Sequence, residues 1–157
     1  VSFERAFELV IGHEGGLVDD PKDPGGLTNF GISKRQYPAE DIANLTLDQA
    51  RSIYKRDYWS AIKGDQLPPP LALCLFDLAV NSGVSAAIRM LQKTLDVPVD
   101  GILGPGTLGK ALAMDIKTLV VRLQADRLLF LSQLPTFSRF GKGWTRRVIS
   151  TAIEACA

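Results

Sequence analysis

Three features of the sequence predict a mainly α-helical domain. It is a bundle around one buried central helix, with a small irregular or β-hairpin segment after helix one. Apolar residues recur at steps of three and four over most of the 157-residue chain. One run, "PLALCLFDLAVNS", is apolar on nearly all sides, the pattern of a helix buried all round. Glycine, proline, aspartate and asparagine crowd residues 15–35 in turn-like clusters.

Ser2 is a good N-cap for the first helix. Phe3, Phe7 and Val10 follow at steps of four and three, with Ile11 beside them, and Gly15 and Gly16 stop the helix. Strand is expected around residues 27–32. Thr46 and Gln49 resemble a capping box, opening a helix that carries Leu47, Ala50, Ile53, Tyr54 and Tyr58. "LPPP" breaks the chain, and Pro70 suits the first turn of the central helix, 70–82. Gly83 ends that helix. Ser85 is expected to cap the next, which carries Ala86, Ile88, Leu91 and Leu95. "DVPVDGILGPGTLG" is a turn-rich connection before a helix over 108–113 and a long one over 116–134. "LPTFSRFGKGW" reads as a loop, with a last helix starting near Trp144. There is no internal repeat and no long polar linker, so residues 1–157 are read as one domain.

Hydrophobic residues make up 46% and charged residues 22%, ordinary for a globular protein. A net charge of +1 supplies no field for nucleic acid or an anionic membrane. Two cysteines, Cys74 and Cys156, read as free thiols, which suits a reducing cytosol. One histidine and two distant cysteines make no zinc site, so no metal or cofactor is expected. "VSFERAFELVIGHE" is too charged for a signal-peptide core. The longest apolar run falls short of the ~20 residues of a spanning helix. The expectation is a protein made in the cytoplasm, without stable membrane insertion, that acts elsewhere only after release or export.

Helical geometry advances about 100° per residue, so positions 3, 7, 10 and 14 share one face. Glu14 therefore continues the stripe of Phe3, Phe7 and Val10, whereas Glu4 and Glu8 lie on other faces. A carboxyl in a partly apolar setting holds its proton longer, because burial penalises the charged form. The negative end of the helix dipole acts in the same sense. Such a group can protonate a leaving oxygen. The competing reading is a solvated charge at a fraying helix end. His13 beside it reads as structural. Glycoside hydrolysis usually needs a second group, and Asp19, Asp20 and Asp23 are candidates in the following loop, each equally able to form an Asx-turn.

"HEGG" followed by "DPKDPGGLTNFGIS" resembles glycoside hydrolase family 108, a group of phage and bacterial N-acetylmuramidases. "YKRDYW", "LFDLAVNSG", "LQKTLDVPVDGILGPGT" and "FGKGWTRRV" continue the likeness in order along essentially the whole chain. The resemblance implies a lysozyme-like fold and cleavage of the β-1,4 bond between N-acetylmuramic acid and N-acetylglucosamine. It places the family's catalytic glutamate at Glu14. The loop is also similar to that of phage-type lysozymes of family 24, where a glutamate, an aspartate and a threonine line the cleft. That likeness implies catalytic roles for Asp23 and Thr28, although Asp23 to Thr28 is one residue shorter here. Residues 91–107 are similar to a motif of peptidoglycan-binding modules, read here as a turn integral to the same fold.

Asp77 and Asn81 share a face of the central helix. Asp77 needs a buried partner. Asn81 either joins that network or meets a sugar N-acetyl group. Tyr58 and Trp59 are candidate sugar-contacting rings, with Trp59 expected as the exposed one. Trp144, Arg146 and Arg147 either stabilise the last helix or, for the arginines, meet peptidoglycan carboxylates. The expected protein is a metal-free, monomeric muramidase whose partner is the peptidoglycan glycan strand, either a phage endolysin or a bacterial autolysin. A lytic transglycosylase using Glu14 and a non-catalytic peptidoglycan-binding or secretion-associated protein are the alternatives.

Overall fold

The computed structural model describes residues 2–157 apart from 23 and 24. Seven α-helices are present among them: α1 (Phe3–Glu14), α2 (Leu47–Tyr54), α3 (Pro69–Ser82), α4 (Val84–Leu95), α5 (Pro105–Ala113), α6 (Ile116–Ser132) and α7 (Phe137–Cys156). Two short strands, β1 (Thr28–Asn29) and β2 (Ile32–Ser33), form an antiparallel hairpin between α1 and α2. The fold is mainly α and lysozyme-like.

Helix α3 is the centre. Every residue from Leu71 to Ala79 is buried, and α1, α4, α6 and α7 pack around it. Its start follows from Pro69 and Pro70, whose missing N–H groups cost nothing in a first turn. It ends at Gly83, where φ of 94° needs a residue without Cβ. Phe76 meets the edges of Phe3, Tyr54 and Trp59, joining α1 and α2 to the core.

The α2 capping box forms as expected. The Thr46 hydroxyl accepts from Gln49 N, and the Gln49 side chain accepts from Thr46 N. Ser85 does not cap α4; it lies inside the first turn, and Gly83 is the N-cap. Helix α5 starts earlier than expected, at Pro105.

Helix α7 begins at Phe137, where the sequence suggested a loop. Gly141 and Gly143 look like breakers, yet a Cβ at Gly141 would lie 2.8 Å from the Phe137 ring. Phe137, Phe140 and Trp144, spaced three and four apart, line up as an aromatic row with centroid separations of 6.3 and 5.7 Å to Trp144. Side-chain packing thus carries the helix through glycine.

The turn between α4 and α5 is tied to α4 by Arg89, which donates to Val99 O and Asp100 O at 3.4 Å, and above all by Gln92. Buried Gln92 donates to Asp100 Oδ1 at 2.7 Å, Ile102 O at 3.0 Å and Thr107 Oγ1 at 3.2 Å. It accepts from Asp100 N and Gly101 N.

Candidate active site

Glu14 is the last residue of α1, and its side chain is 18% exposed. The stripe of Phe3, Phe7 and Val10 buries the helix, and Glu14 emerges where that stripe reaches the surface. The hairpin turn covers it. Phe30 and Gly31 have φ of 50° and 74°, as a two-residue type I′ turn requires. A Cβ at Gly31 would stand 2.7 Å from Glu14 Oε2 and 2.6 Å from the Tyr54 hydroxyl. Only glycine lets the turn approach this closely. Tyr54, 1% exposed, holds the turn by donating to Phe30 O at 2.7 Å. Asn29 adds a bond from its amide to Ile42 O at 3.1 Å.

From the other side comes a residue the sequence reading did not pair with Glu14. Arg147 of α7 sets Nη1 2.6 Å from Glu14 Oε1 and donates from Nε to Asp77 Oδ1 at 2.8 Å. Asp77 Oδ2 accepts from Arg127 Nη1 at 2.6 Å and from Thr151 Oγ1 at 3.4 Å. Arg127 Nη2 in turn donates to Asn81 Oδ1 at 3.2 Å. Glu14, Arg147, Asp77 and Arg127 therefore alternate in sign across α1, α7, α3 and α6. Asp77 and Arg127 have side chains only 1% exposed. Buried charges persist where each has an opposite partner and hydrogen bonds.

The Glu14 contact is close without being directional: Oε1 has no donor aligned with it, and Arg147 Nη2 is buried without a hydrogen-bond partner. Burial alone would lower the Arg147 pKa. The charges of Asp77 and Glu14 outweigh it and hold the guanidinium above its ordinary value. Burial, then the Glu14 charge, push the Tyr54 phenol far above its usual range. Burial raises Tyr58 as well. Both phenols keep their protons near neutral pH, and that of Tyr54 goes to Phe30 O. The apolar wall expected around Glu14 is thus replaced in part by a guanidinium.

Thr28 lies in β1, half-buried, with its hydroxyl donating to Gly26 O at 3.2 Å. Its backbone bonds Val18 in both directions, at 2.7 and 2.8 Å, bringing the start of the loop onto the hairpin. Asp23 lies outside the described residues. Asp19 and Asp20 are exposed, and Asp20 accepts from Lys22 N at 2.9 Å, forming an Asx-turn.

Trp59 is not the exposed ring. It is 2% exposed, packs on Phe3 and Phe76, and its indole N–H donates to Asp65 at 2.9 Å. The cause is a π-helical turn over Lys55–Trp59, in which Ser60 N bonds Lys55 O. In an α-helix the residue below Tyr54 is Tyr58; widening the turn by one residue puts Trp59 there. Tyr58 is rotated to a half-buried place, its ring 5.5 Å from that of Tyr54.

A cavity of about 460 Å³ opens between α1 and α7 beside this network, lined by Gly12, His13, Asn81, Trp144, Arg146 and Arg147 among others. Asn81 therefore belongs both to the charge network and to the wall of a cleft. Arg147 was the residue missed as a partner of Glu14. Its signal was indirect: Asp77 in an apolar helix demands cations, and the last helix carries adjacent arginines.

A helical fold, a partly buried carboxyl closing the first helix, and a hairpin and guanidinium fixing its side chain make up a lysozyme-like architecture. The chain belongs to glycosyl hydrolase family 108, whose model matches residues 7–83, from α1 through the hairpin to the end of α3. Twelve solved chains match it. One, described as "Structure of Brucella abortus SagA", is 38% identical with a TM-score of 0.89, the match covering 98% of this chain and 93% of that one. No curated protein matches. A glycan is accordingly the class of substrate.

Proposed function

We propose that the protein cleaves the β-1,4 bond between N-acetylmuramic acid and N-acetylglucosamine in peptidoglycan, with Glu14 as the proton donor. The observation that carries this reading is the way Glu14 is held. It is part-exposed at a helix end, gripped by Gly31 on one side and Arg147 on the other. Fixing a catalytic carboxyl by its surroundings lowers the entropic part of the barrier. With Arg147 standing against Oε1, Glu14 delivers its proton to the glycosidic oxygen. Asp23, or Asp19 or Asp20 of the same loop, with Thr28, assists the oxocarbenium-like charge or positions water. Tyr58, half-exposed near Glu14, and Asn81 contact the sugars.

The chain acts as a single, monomeric catalytic unit on the wall after release or export. The packing of α6 and α7 on α3 supports one unit, because residues 91–157 then complete the core instead of forming a separate module.

Cell-wall clearing by wild type beside Glu14→Gln tests the assignment. The variant should keep its circular dichroism spectrum and melting point and clear walls about 10²- to 10⁴-fold more slowly. Equal clearing by a folded variant would remove Glu14 from the chemistry. Mass spectrometry of the digest should show reducing muramic acid ends. A 1,6-anhydro end would instead assign a lytic transglycosylase.

A further inference from the structure

The cavity between α1 and α7 has features that the proton-donor role does not require. Two glycines face it, Gly12 from α1 and Gly143 from α7. Glycine is the least favourable residue in a helix interior after proline. Close packing explains it at Gly141, where the Phe137 ring fills the space. At Gly12 and Gly143 nothing lies within 4 Å of where a Cβ would be. Both helices thus leave the cavity open where any side chain would begin to fill it.

The charge of the cavity is one-sided. Arg146 is exposed there and forms no ion pair among the described residues. Arg147, already paired with Glu14 and Asp77 through Nη1 and Nε, adds a second guanidinium whose Nη2 is buried and lacks a hydrogen-bond partner. His13 adds an imidazole, and no acidic residue is among the lining. Farther along the same two helices the groove changes character, with Glu8, Asp77 and Glu154 in its walls. An anion is therefore directed to the end beside Glu14. Trp144, half-buried, offers an apolar face next to the guanidiniums.

We infer that this cavity is a subsite for a carboxylate of the peptide stem borne by N-acetylmuramic acid, read by Arg146 and Arg147 Nη2 with Trp144 against the stem's apolar part. The inference rests on the proposed muramidase reading, since it takes peptidoglycan as the substrate. It makes the enzyme selective for stem-bearing strands over bare glycan.

The test compares kcat/KM on glycan strands carrying unamidated stems with that on strands stripped of stems by an amidase. Two variants are used: Arg146→Gln, which removes charge, and Gly143→Leu, which fills the space. The wild-type preference for stem-bearing strands should fall about fivefold in Arg146→Gln, the worth of one exposed charge contact. It should fall in Gly143→Leu as well, through KM. Calorimetric titration with a free alanyl-γ-glutamyl-diamino-acid tripeptide should show binding by wild type that both variants lose. Amidating the peptide's carboxyl groups should abolish it. A preference unchanged in both variants, or equal binding of the amidated peptide, would overturn the subsite. The titration needs no turnover. A wild type that binds the peptide but cleaves neither strand would therefore sink the muramidase reading and leave the subsite standing.

Discussion

Arg147 Nη1 stands 2.6 Å from Glu14 Oε1, joining the first and last helices of the chain at the surface of the core. The same guanidinium is bound to Asp77 at 2.8 Å. One side chain thus orients the candidate acid and neutralises the deepest carboxylate of the central helix. Arg147→Met should therefore fail twice. It leaves Asp77, 1% exposed, with one cation in place of two, and Glu14 with none. Breaking a buried pair by removing one partner costs about 3–5 kcal/mol, which urea denaturation would measure. Arg147→Lys keeps the charge but not the fork that reaches both carboxylates. It should recover part of the stability while activity stays well below wild type. A lysine variant with full activity would show that the fork's geometry does not matter.

Gly31 is the second support of Glu14. Its φ of 74° disfavours any side chain, and a Cβ would fall within 2.9 Å of Glu14 Cβ as well as of the Tyr54 hydroxyl. Gly31→Ala should cost about 1–3 kcal/mol through backbone strain and displace the turn from Glu14. Since small misplacements of a catalytic group cost about 10²-fold in rate, kcat should fall farther than the loss of stability explains. Assays well below the melting point separate the two effects. A variant that lost stability but kept kcat would confine Gly31 to folding.

Trp59 distinguishes core from cleft. Its burial, its contacts with Phe3 and Phe76 and its bond to Asp65 predict that Trp59→Phe destabilises the protein. The loss should be about 1–3 kcal/mol, the range for reshaping a packed core and orphaning a polar partner. KM should not move. Tyr58→Leu should do the reverse, raising KM with a small change in melting temperature. Iodide quenching gives a second readout, because Trp144 fluorescence should be accessible and Trp59 fluorescence protected. A Trp59→Phe protein of native stability and raised KM would return Trp59 to the cleft.

These residues also mark where the sequence was legible. The three-four stripe placed Glu14 at the end of a buried face because helical geometry is local. The Thr46 and Gln49 pair announced α2 for the same reason. The segment after helix one was read as irregular or a hairpin, with strand around 27–32, but its turn was not located, since it depends on Phe30 adopting a positive φ that its side chain does not advertise. Trp59 was misplaced because one π-turn shifts the helical phase by a residue, and no periodicity reports that in advance. The Arg147–Glu14 contact was hidden for a different reason. It joins opposite ends of the chain, and only the packing of α7 against the core brings them together.

The alkaline side of the stability profile should report on Cys74. Burial, followed by the nearby Asp77 charge, pushes this thiol up from 9.0 to about 12. In the unfolded chain the thiol ionises near its ordinary value. Between about pH 9 and 12 the unfolded state therefore binds fewer protons than the folded one. Stability then falls as pH rises, by about 1.4 kcal/mol per pH unit for a single group. Below about pH 9 both states keep the proton and the contribution is fully present. Buried Tyr54 acts in the same direction through its raised pKa, so the wild-type slope alone does not isolate the thiol. The difference between wild type and Cys74→Ala does. Alanine at a fully buried position leaves a small cavity and a constant deficit below pH 9. That deficit should shrink steadily as the pH is raised towards 11. Thiol labelling should agree, with half-buried Cys156 modified in the native protein and Cys74 modified only on unfolding. A deficit independent of pH would mean that Cys74 ionises alike in both states.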